Sequence, residues 1–347
     1  MFNDYLKMLN EANKYLGYIN AEITEESISM ISGLSEGQQK ALFNQVLLIA
    51  EQRGHENIFS AEQNSFRAFI VDAGEFGWTI QDYMLEVLDG VSPQWDNTNY
   101  TDAQQAENLV KDYEQEIESE IHYEKFSRQF PTTIRDYEYK KSFYPSKLGA
   151  FMDRKIGMLN TSAEIYLQNQ VLIDELKVMC EKDHIVKKSN HTVNSHDGIL
   201  ALIEAIKSDY IGFSQPNSGQ YNVASVTSIT PTDDLKFIMM KASTLERIKV
   251  RAYSAAFNLE QMKLEGRIII IPEDYDFGTF GESNEVPLAF LVDRRALVIG
   301  LKLWKMGSFY VANQYKTNHW LGVEGIRGHN RFINAVAYMG DMPSVFQ

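Results

Sequence analysis

Three histidines that lie close together in the sequence are the first residues whose type and spacing could support chemistry. They are His184, His191 and His196, within DHIVKKSNHTVNSHDG. Three imidazoles can bind Zn²⁺ when the fold brings them to one site. Here they belong to a polar connection beside two lysines, and no two of them have the four-residue spacing that places ligands on one helix face. We therefore predict no metal site and no cofactor at this segment.

Clustered carboxylates are the second group of candidates. PEDYD at residues 272–276 and TDD at residues 232–234 could supply the acid and base of a hydrolase, which needs two carboxyl groups about 5 to 9.5 Å apart across a cleft. Neither cluster is flanked by the aromatic residues that usually line such a cleft, so we interpret both as solvated turns. Cys180 lies within a helical pattern, which favours a buried, unreactive thiol over a nucleophile.

The triplet Asp293-Arg294-Arg295 separates two apolar segments in PLAFLVDRRALVIGLKLW. A catalytic interpretation would make the aspartate an acid or base and the arginines clamps for an anion. A structural interpretation makes the triplet a turn between two strands, because the short side chain of aspartate suits a turn or an N-cap. We favour the turn, with both arginines directed to solvent or to the acidic surface of a partner.

Signatures of nucleotide binding and of nucleophilic catalysis are absent from the sequence. The glycines in GEFG, GTFG and GIRG lack the spacing and the strand-to-helix context of a phosphate-binding loop. The sequence has neither a G-x-S-x-G elbow nor an H-E-x-x-H helix. We therefore predict no catalytic residue and no cofactor-binding residue.

Composition sets limits on the class of protein. The chain has 347 residues, of which 44% are hydrophobic, enough for one large domain or two smaller ones. No apolar run approaches the roughly 18 to 20 residues of a membrane helix, and the first residues lack a secretion signal, so we expect no membrane association. The single cysteine excludes an intramolecular disulfide and fits a reducing compartment.

Negative charge is concentrated in the N-terminal third of the chain. The net charge is −14, and residues 1–122 carry 22 acidic and 6 basic side chains. Tight binding of nucleic acid depends on Lys and Arg that replace counterions along the phosphates. This charge distribution therefore argues against a nucleic-acid reader, although weak contact stays possible.

Helical periodicity recurs along the chain. Ser35 is a plausible N-cap of the first clear helix, SEGQQKALFNQVLLIAEQRG, and Gly54 its end. Residues 144–183 carry the longest apolar stripe at helical spacing, which could be broken at Thr161 by a capping-box pattern. The segment DGILALIEAIKSDYIGF predicts a further amphipathic helix.

Strand patterns alternate with these helices. IHYEKFSRQFPTTIRDYEY predicts a long, half-exposed strand, and LKFIMM, RIIIIP and PLAFLV predict shorter buried strands. The last part of the chain predicts two strands around GIRGHN. Between residues 66 and 131 a polar, acidic excursion contains little that could be buried against its own neighbours, and such a long segment usually has a function or becomes ordered on a partner.

Taken in order, these elements resemble those of the major capsid proteins of tailed bacteriophages, which have the Hong Kong 97 phage capsid fold. The segments that carry the resemblance are TPTDDLKFIMMKASTLERI, AFLVDRRALVIG and the closing RFINAVAYM. It covers about residues 76–339 and is strongest to the short capsid proteins of small podoviruses. It depends on the order of the segments, because none of them is specific by itself.

The resemblance implies an α+β fold with four parts. Residues 1–65 would form a helical N-terminal arm, and residues 66–130 an extended loop region that lies over a neighbouring subunit. Residues 131–224 and 306–347 would form a peripheral domain with a long spine helix, and residues 225–305 an axial domain. Residues 144–183 would supply that spine helix, with the strands around 121–135, 309–321 and 331–340 alongside it.

Contacts between subunits would explain the acidic excursion. Its apolar residues could be buried on a neighbouring copy, and the arginines of the triplet could meet an acidic surface of that copy. The predicted inter-subunit contacts are Trp78, Tyr83, Leu85, Trp95, Tyr100, Arg294 and Arg295.

The function that the resemblance implies is structural and not enzymatic. The subunit would assemble with copies of itself, as pentamers and hexamers, into the icosahedral or prolate head of a virion that encloses double-stranded DNA. A scaffolding protein and a portal would be partners, DNA contact would be non-specific, and assembly would take place in the host cytoplasm. Two alternatives are an encapsulin-like cellular shell protein and an α+β enzyme whose acidic groups meet only in three dimensions.

Overall fold

The computed structural model of the chain contains both helices and strands, as an α+β fold requires. The described residues are 2–24, 27–59, 66–72, 82–85, 116–119, 122–135, 138, 155, 157–215, 219–254, 267–280 and 285–341. The helices are α1 (Phe2–Leu16), α2 (Glu36–Phe59), α3 (Met158–Tyr166), α4 (Ile173–Glu181), α5 (His196–Gly212) and α6 (Ala242–Ser254). The strands are β1 (Ile70–Asp72), β2 (Asp82–Leu85), β3 (Glu116–Ser119), β4 (His122–Arg135), β5 (Val186–His191), β6 (Lys236–Lys241), β7 (Arg267–Ile271), β8 (Val286–Asp293), β9 (Leu297–Val311), β10 (Lys316–His329) and β11 (Ala335–Gly340). Within these residues, no helix is both long enough and apolar enough to cross a membrane.

A long four-stranded sheet has the strand order β1-β9-β10-β4. β10 pairs with β4 and β9 along its whole length, antiparallel to both. At about 3.3 Å per residue, its 14 residues extend roughly 46 Å. β4 is an edge strand, which explains how it accommodates Pro131, a residue that cannot donate a backbone hydrogen bond. The long, half-exposed strand predicted for this segment is confirmed.

A second, five-stranded sheet has the strand order β5-β11-β8-β6-β7. Alternate residues of β6 enter different apolar clusters: Phe237 and Met239 face the cluster that contains the long helix α3–α4, whereas Ile238 and Met240 face the cluster that contains α5 and α6. Because both faces of the sheet are covered, its central strands are continuously apolar. The strands predicted from LKFIMM, RIIIIP and PLAFLV are confirmed.

The predicted position of one connection between the last strands is wrong. GIRGHN does not separate two strands, since its first five residues lie within β10, and the chain reverses at Ala312–Gln314, before β10 begins. A Cβ atom at Gly325 would clash with the carbonyl oxygen of Gly300, so this glycine permits close packing of strands. β11 lies between β5 and β8 in the five-stranded sheet, and Ala335, Ala337 and Met339 belong to the apolar cluster that contains the buried residues of the spine helix α3–α4.

Helices α3 and α4 are joined by the π-helical segment Leu167–Leu172 into one continuous helix, which we call the spine helix. Residues 158–181 extend about 36 Å at 1.5 Å per residue. The break considered at Thr161 is wrong, because Thr161 is exposed inside α3 while the apolar stripe continues through Leu159 and Ala163 on the buried face. Residues 144–154 and 156 of the predicted helix lie outside the described residues.

Helix α2 begins as the sequence predicts and ends later. The backbone N–H of Gln38 donates to Ser35 Oγ at 3.4 Å, and the N–H of Ser35 donates to Gln38 Oε1 at 3.1 Å. These reciprocal bonds form a capping box and confirm Ser35 as the N-cap. Gly54 does not end the helix, which continues to Phe59. A glycine inside a helix costs only about 1 kcal/mol relative to alanine, so the surrounding helical residues can override it.

The cores contain the apolar residues that helical spacing predicts. The buried face of α5 consists of Ile199, Leu202, Ile203, Ile206 and Tyr210, together with Asp209. Cys180 is fully buried in α4, and burial raises the pKa of its thiol to about 12. A thiol that stays protonated and shielded from solvent is a poor nucleophile, and its burial agrees with the helical pattern around Cys180.

Candidate assembly surfaces

One face of the four-stranded sheet is open to solvent, and we call it the open face. The side chains of β4 alternate between the two sides of the sheet, and those on the open face are Lys125, Ser127, Gln129, Pro131, Thr133 and Arg135, all exposed. Two cross-strand hydrogen bonds lie on it. Ser127 Oγ donates to Glu324 Oε1 at 3.2 Å, and Thr133 Oγ1 donates to Asn318 Oδ1 at 3.0 Å. Residues that pair directly across neighbouring strands lie on the same side of the sheet, so the register of β9 and β10 with β4 shows which of their residues lie on the open face.

The open face is basic although the chain as a whole is acidic. Its cationic residues are Lys125, Arg135, Lys305 and Lys316, and among its described residues Glu324 is the acidic one. Aromatic side chains lie between the charges: Trp320 packs over Gly307, and Phe309 is 64% exposed. Positive charge and exposed aromatic area together suit contact with an acidic, partly apolar partner.

The opposite face of the sheet packs against the spine helix. Phe126 and Phe130 of β4 meet the ring of Tyr166 edge-on, with ring centroids 6.2 and 5.7 Å apart. The guanidinium of Arg128 lies over the same ring at 5.2 Å. These contacts fix the direction of the helix along the sheet, and aromatic pairs of this geometry contribute about 0.5–1.5 kcal/mol each beyond burial.

Arg327 of β10 holds three carboxylates from two other elements. Its guanidinium lies 2.7 Å from Glu124 of β4, and 3.3 Å and 3.2 Å from Asp174 and Glu175 of the spine helix. Tyr275 donates its hydroxyl proton to Asp174 at 2.6 Å. Glu175 is buried and Arg327 is 17% exposed, whereas Glu124 and Asp174 lie at the surface, so the network is buried at its Arg327–Glu175 pair. The network joins the spine helix to β4 and β10.

The three histidines of the sequence analysis do not come together as a metal site. His184 contacts His329 with its Nδ1 atom 2.7 Å from Nε2, His191 packs edge-on against Tyr338, and His196 is exposed at the start of α5. Among the described residues, no cluster of His, Cys, Asp and Glu has the geometry of a metal site.

The Asp293-Arg294-Arg295 triplet is a turn. Asp293 is fully buried and caps the short helix Arg294–Ala296 by accepting the N–H of Arg295 at 2.8 Å. Its second oxygen accepts the hydroxyl of Thr230 at 2.7 Å and a guanidinium N–H of Arg295 at 2.7 Å. The carboxylate therefore orders the turn between β8 and β9. Arg295 stays 41% exposed along its side chain while held by Asp293, which leaves it accessible to a second molecule.

Comparison with known proteins identifies the family. The family model of Phi29-like phage major capsid proteins matches residues 40–339. The chain belongs to this family. The major capsid protein of Bacillus phage GA-1 is 25% identical over 217 residues, which cover 60% of this chain and 43% of that protein. The chain thus spans less than half the length of this curated relative.

Solved structures place this capsid protein in the same fold class. One similar structure is a chain in the capsid structure of Staphylococcus phage Andhra, with a TM-score of 0.52 and 12% sequence identity. The match covers 80% of the chain described here and 84% of the Andhra chain. The predicted Hong Kong 97-type capsid fold, of the α+β class, is confirmed. The matched family is one of phage major capsid proteins.

The predicted contact residues of the capsid protein have separate locations. Trp78, Trp95 and Tyr100 lie outside the described residues. Tyr83 and Leu85 belong to β2, where Tyr83 pairs with Glu118 of β3 in an antiparallel hairpin. That pairing places residues 82–85 beside residues 116–119 within the acidic excursion. Arg294 and Arg295 lie on the turn after β8, and the role of all these residues between subunits stays a prediction.

The carboxylate clusters of the capsid protein make local contacts. Glu273 accepts the hydroxyl of Ser243 at 2.7 Å, and Asp233 pairs with Lys236 at 2.9 Å. A pocket beside β8, lined in part by Glu273 and Asp276, has a volume of about 170 Å³. Ligand pockets usually measure about 300–1,000 Å³, so this one is small for a substrate site.

Sequence reasoning missed the polar residues that join the elements of the capsid protein. Arg327 and Glu124 are separated by 203 residues, and no local pattern links them. Asp209 accepts hydrogen bonds from Lys188 and Tyr338 inside the five-stranded region, and burial raises the pKa of Tyr338. A charged residue on the apolar stripe of α5 was the available signal for Asp209, because charged residues are rarely buried without a partner.

Proposed function

We propose that the chain is the shell subunit of a phage head, assembling with copies of itself as pentamers and hexamers around double-stranded DNA. The observation that carries this proposal is the family match over residues 40–339. A shell subunit needs self-complementary edges and no catalytic pocket. The long basic open face and the hairpin of the acidic excursion fit that requirement.

The division of the chain into parts follows the resemblance. We propose an arm at residues 1–65, an extended loop region at 66–130, a peripheral domain at 131–224 with 306–347, and an axial domain at 225–305. β4 and β9 cross two of these boundaries, so both strands would act as rigid connections between parts. β11 would connect the end of the peripheral domain to the axial sheet.

We propose that the extended loop of one subunit binds the open face of a neighbouring subunit. Residues 86–120 carry ten acidic and one basic side chain, and include Trp95 and Tyr100. The open face carries four cationic and two aromatic residues, which complement the acidic and aromatic residues of this segment. Opposite charges across an interface steer association and fix its register more than they raise affinity. This contact therefore predicts assembly that depends on salt.

The first test is negative-stain electron microscopy of the full chain, purified after expression alone and with candidate scaffolding and portal proteins. We expect closed shells, or rings of five and six subunits, in at least one condition. A uniform small particle in every condition would contradict the proposal. Shells that form only with a scaffolding protein would identify that partner and leave the subunit's role intact.

Charge reversal tests the open face directly. The variant K125E/K305E places two carboxylates among the acidic residues of the neighbour, so we expect the protein concentration needed for assembly to rise at least about fivefold at low salt. Each exposed ion pair contributes about 0.2–1 kcal/mol per contact, which sets this scale. Light scattering during assembly provides the measurement.

The matched control is K14E/K249E, which makes the same change of charge at two exposed lysines away from the open face. We expect it to assemble like the wild type. Raising NaCl to about 0.5 M should reduce the difference between the variants, since the Debye length falls below about 5 Å. Equal assembly by both variants would exclude the open face as the docking surface while leaving the shell function untouched.

The alternatives have different support. A phage family match favours a virion subunit, assembled in the host cytoplasm, over an encapsulin-like cellular shell. An encapsulated enzyme co-purifying with the shell would favour the cellular alternative. The α+β enzyme with an acidic site would require a substrate-sized cleft, and the pocket of about 170 Å³ beside β8 does not provide one.

A further inference from the structure

The turn between β9 and β10 presents an aromatic side chain from a strained backbone conformation. Tyr315 follows the short helix Ala312–Gln314 with φ 47° and ψ 47°, which is the left-handed region. A bulky residue is rarely found there, because its Cβ atom comes too close to the following carbonyl oxygen. Tyr315 is also 71% exposed, so its own fold buries little of it. An exposed residue held in such a conformation indicates a function outside the subunit.

The surroundings of this turn are aromatic and basic. Phe309, near the end of β9, is 64% exposed. Residues 305–316 carry two basic side chains, Lys305 and Lys316, and no acidic one. Arg135 of β4 stands opposite Lys316 in the register of the sheet. The turn therefore projects an aromatic ring beside cationic side chains, which suits a small cavity with an acidic rim.

The pocket beside β8 has the complementary properties. Its volume is about 170 Å³. An apolar cavity of about 150 Å³ holds one benzene ring, so this pocket has the size of one aromatic side chain. Phe277, Pro287 and Leu288 contribute apolar surface to its lining. Residues 272–280, which form the loop on one side of it, carry three acidic side chains and no basic one. An aromatic residue followed by a lysine fits its size, its lining and the charge of its loop.

Hydrogen bonds hold the pocket loop in place before any partner binds. Asp276 accepts the backbone N–H of Gly278 at 2.8 Å. Two lysines donate to backbone carbonyl oxygens of the loop, Lys241 to Glu273 at 3.1 Å and Lys177 to Asp276 at 3.1 Å. A pocket with ordered walls loses little conformational entropy when a side chain enters it.

The turn cannot reach the pocket of its own subunit. Arg327, near the far end of β10, contacts Asp174, and Asp174 also accepts the hydroxyl of Tyr275 in the pocket loop. Lys316 and Arg327 are separated by roughly 36 Å along β10, at about 3.3 Å per residue. A contact between the turn and the pocket would therefore join two copies of the chain.

We propose that the β9–β10 turn of one copy inserts Tyr315 into the pocket beside β8 of a second copy and places Lys316 against the acidic loop. The turn and the pocket are different surfaces, so the contact is heterologous, and such contacts close into rings when the rotation between copies permits. This inference rests on the proposed self-assembly of the chain and adds a second interface to it. The contact is separate from that of the extended loop, because neither Tyr315 nor the pocket lies on the open face.

Chemical cross-linking of two cysteine variants of the full chain tests the contact. Q314C places a thiol beside Tyr315, and T279C places one beside Gly278 of the pocket lining; both positions are exposed. The natural Cys180 is buried with a raised pKa, so it should not react. After the two proteins are mixed under assembly conditions, a short bismaleimide should give at least about fivefold more two-chain product than with either variant alone.

Electron microscopy of the same mixtures separates this contact from the proposed function. Closed shells or rings without the 314–279 product would overturn the contact and leave the shell function intact. The product without closed particles would support the contact and count against the shell function. Absence of both the product and the particles would overturn both proposals.

Replacing Tyr315 in the Q314C protein gives a second measurement. Asparagine tolerates the left-handed conformation, so Y315N should unfold at an equal or higher urea concentration than its parent. The yield of cross-linked product should nevertheless fall at least about fivefold. The control is Y15N, the same substitution at a tyrosine of α1 that is 76% exposed, and it should leave the yield unchanged. An unchanged yield in Y315N, or a urea midpoint well below that of its parent, would overturn the proposal.

Discussion

Replacing Arg327 with methionine should lower the free energy of unfolding by about 3–5 kcal/mol, the usual cost of removing one partner from a buried ion pair. Methionine fills similar space but leaves Glu124, Asp174 and Glu175 without their shared cation. Glu175 is the costliest of the three, because it is buried whereas the other two side chains are 45% and 39% exposed. Urea unfolding of the unassembled chain, followed by circular dichroism, measures the effect.

R331M is the matched control for this experiment. Arg331 is exposed and lies over the ring of Phe332 at 5.2 Å, so its loss should change stability by no more than about 0.5 kcal/mol. R327K should recover only part of the stability, since an ammonium group cannot reproduce the planar fork that reaches three carboxylates. A loss below about 1 kcal/mol in R327M would show that the network is not a main connection between the spine helix and the sheet.

Replacing Gly325 with alanine should destabilise the fold by about 2–3 kcal/mol or prevent folding. Its Cβ atom would lie 2.6 Å from Cζ of Phe126 and would also clash with the carbonyl oxygen of Gly300. The register of β10 against β9 shifts at Glu324 and Gly325, where the strands approach closely. Because one obstacle is backbone, side-chain rotation alone cannot relieve the clash.

G322A provides the comparison, three residues away in the same strand. A Cβ atom at Gly322 would lie 3.6 Å from the carbonyl oxygen of Lys305, an ordinary van der Waals contact. We expect G322A to unfold within about 0.5 kcal/mol of the wild type. The decisive quantity is the difference between the two urea midpoints, and equal midpoints would mean that Gly325 has no special packing role.

Much of the fold was accessible from local sequence patterns. The cap of α2 is formed between Ser35 and Gln38, three residues apart in the sequence. Asp293 caps its turn mainly through contacts with Arg295, two residues further along the chain. Such features depend on near neighbours, so single-sequence reasoning can identify them. The helical stripe of α5 was predictable because a one-sided apolar pattern at helical spacing reports burial directly.

The errors arise where tertiary packing overrides a local signal. Gly325 has the appearance of a turn residue, yet it permits β9 and Phe126 to approach β10. Gly54 has the appearance of a helix end, yet α2 continues through it. The polar network was inaccessible for another reason: Glu175 and His329 are 154 residues apart, and no period or motif relates them. For the candidate surfaces, charge composition indicated an acidic partner segment, but only strand register revealed the basic face.

The position of β11 has a consequence for synthesis of the chain. β11 lies between β5 and β8, so the five-stranded sheet stays divided until residues 335–340 have left the ribosome. From the end of β5 to the start of β11 the ribosome adds 335 − 191 = 144 residues, which takes on the order of 7–30 s at about 5–20 residues per second. Throughout that interval β5 lacks β11, and β8 lacks it for the last few seconds; unpaired strand edges are sites of non-native strand addition. Formation of this sheet therefore cannot be completed before β11 is synthesised, and we expect chaperones that bind nascent chains to influence the yield of the native protein.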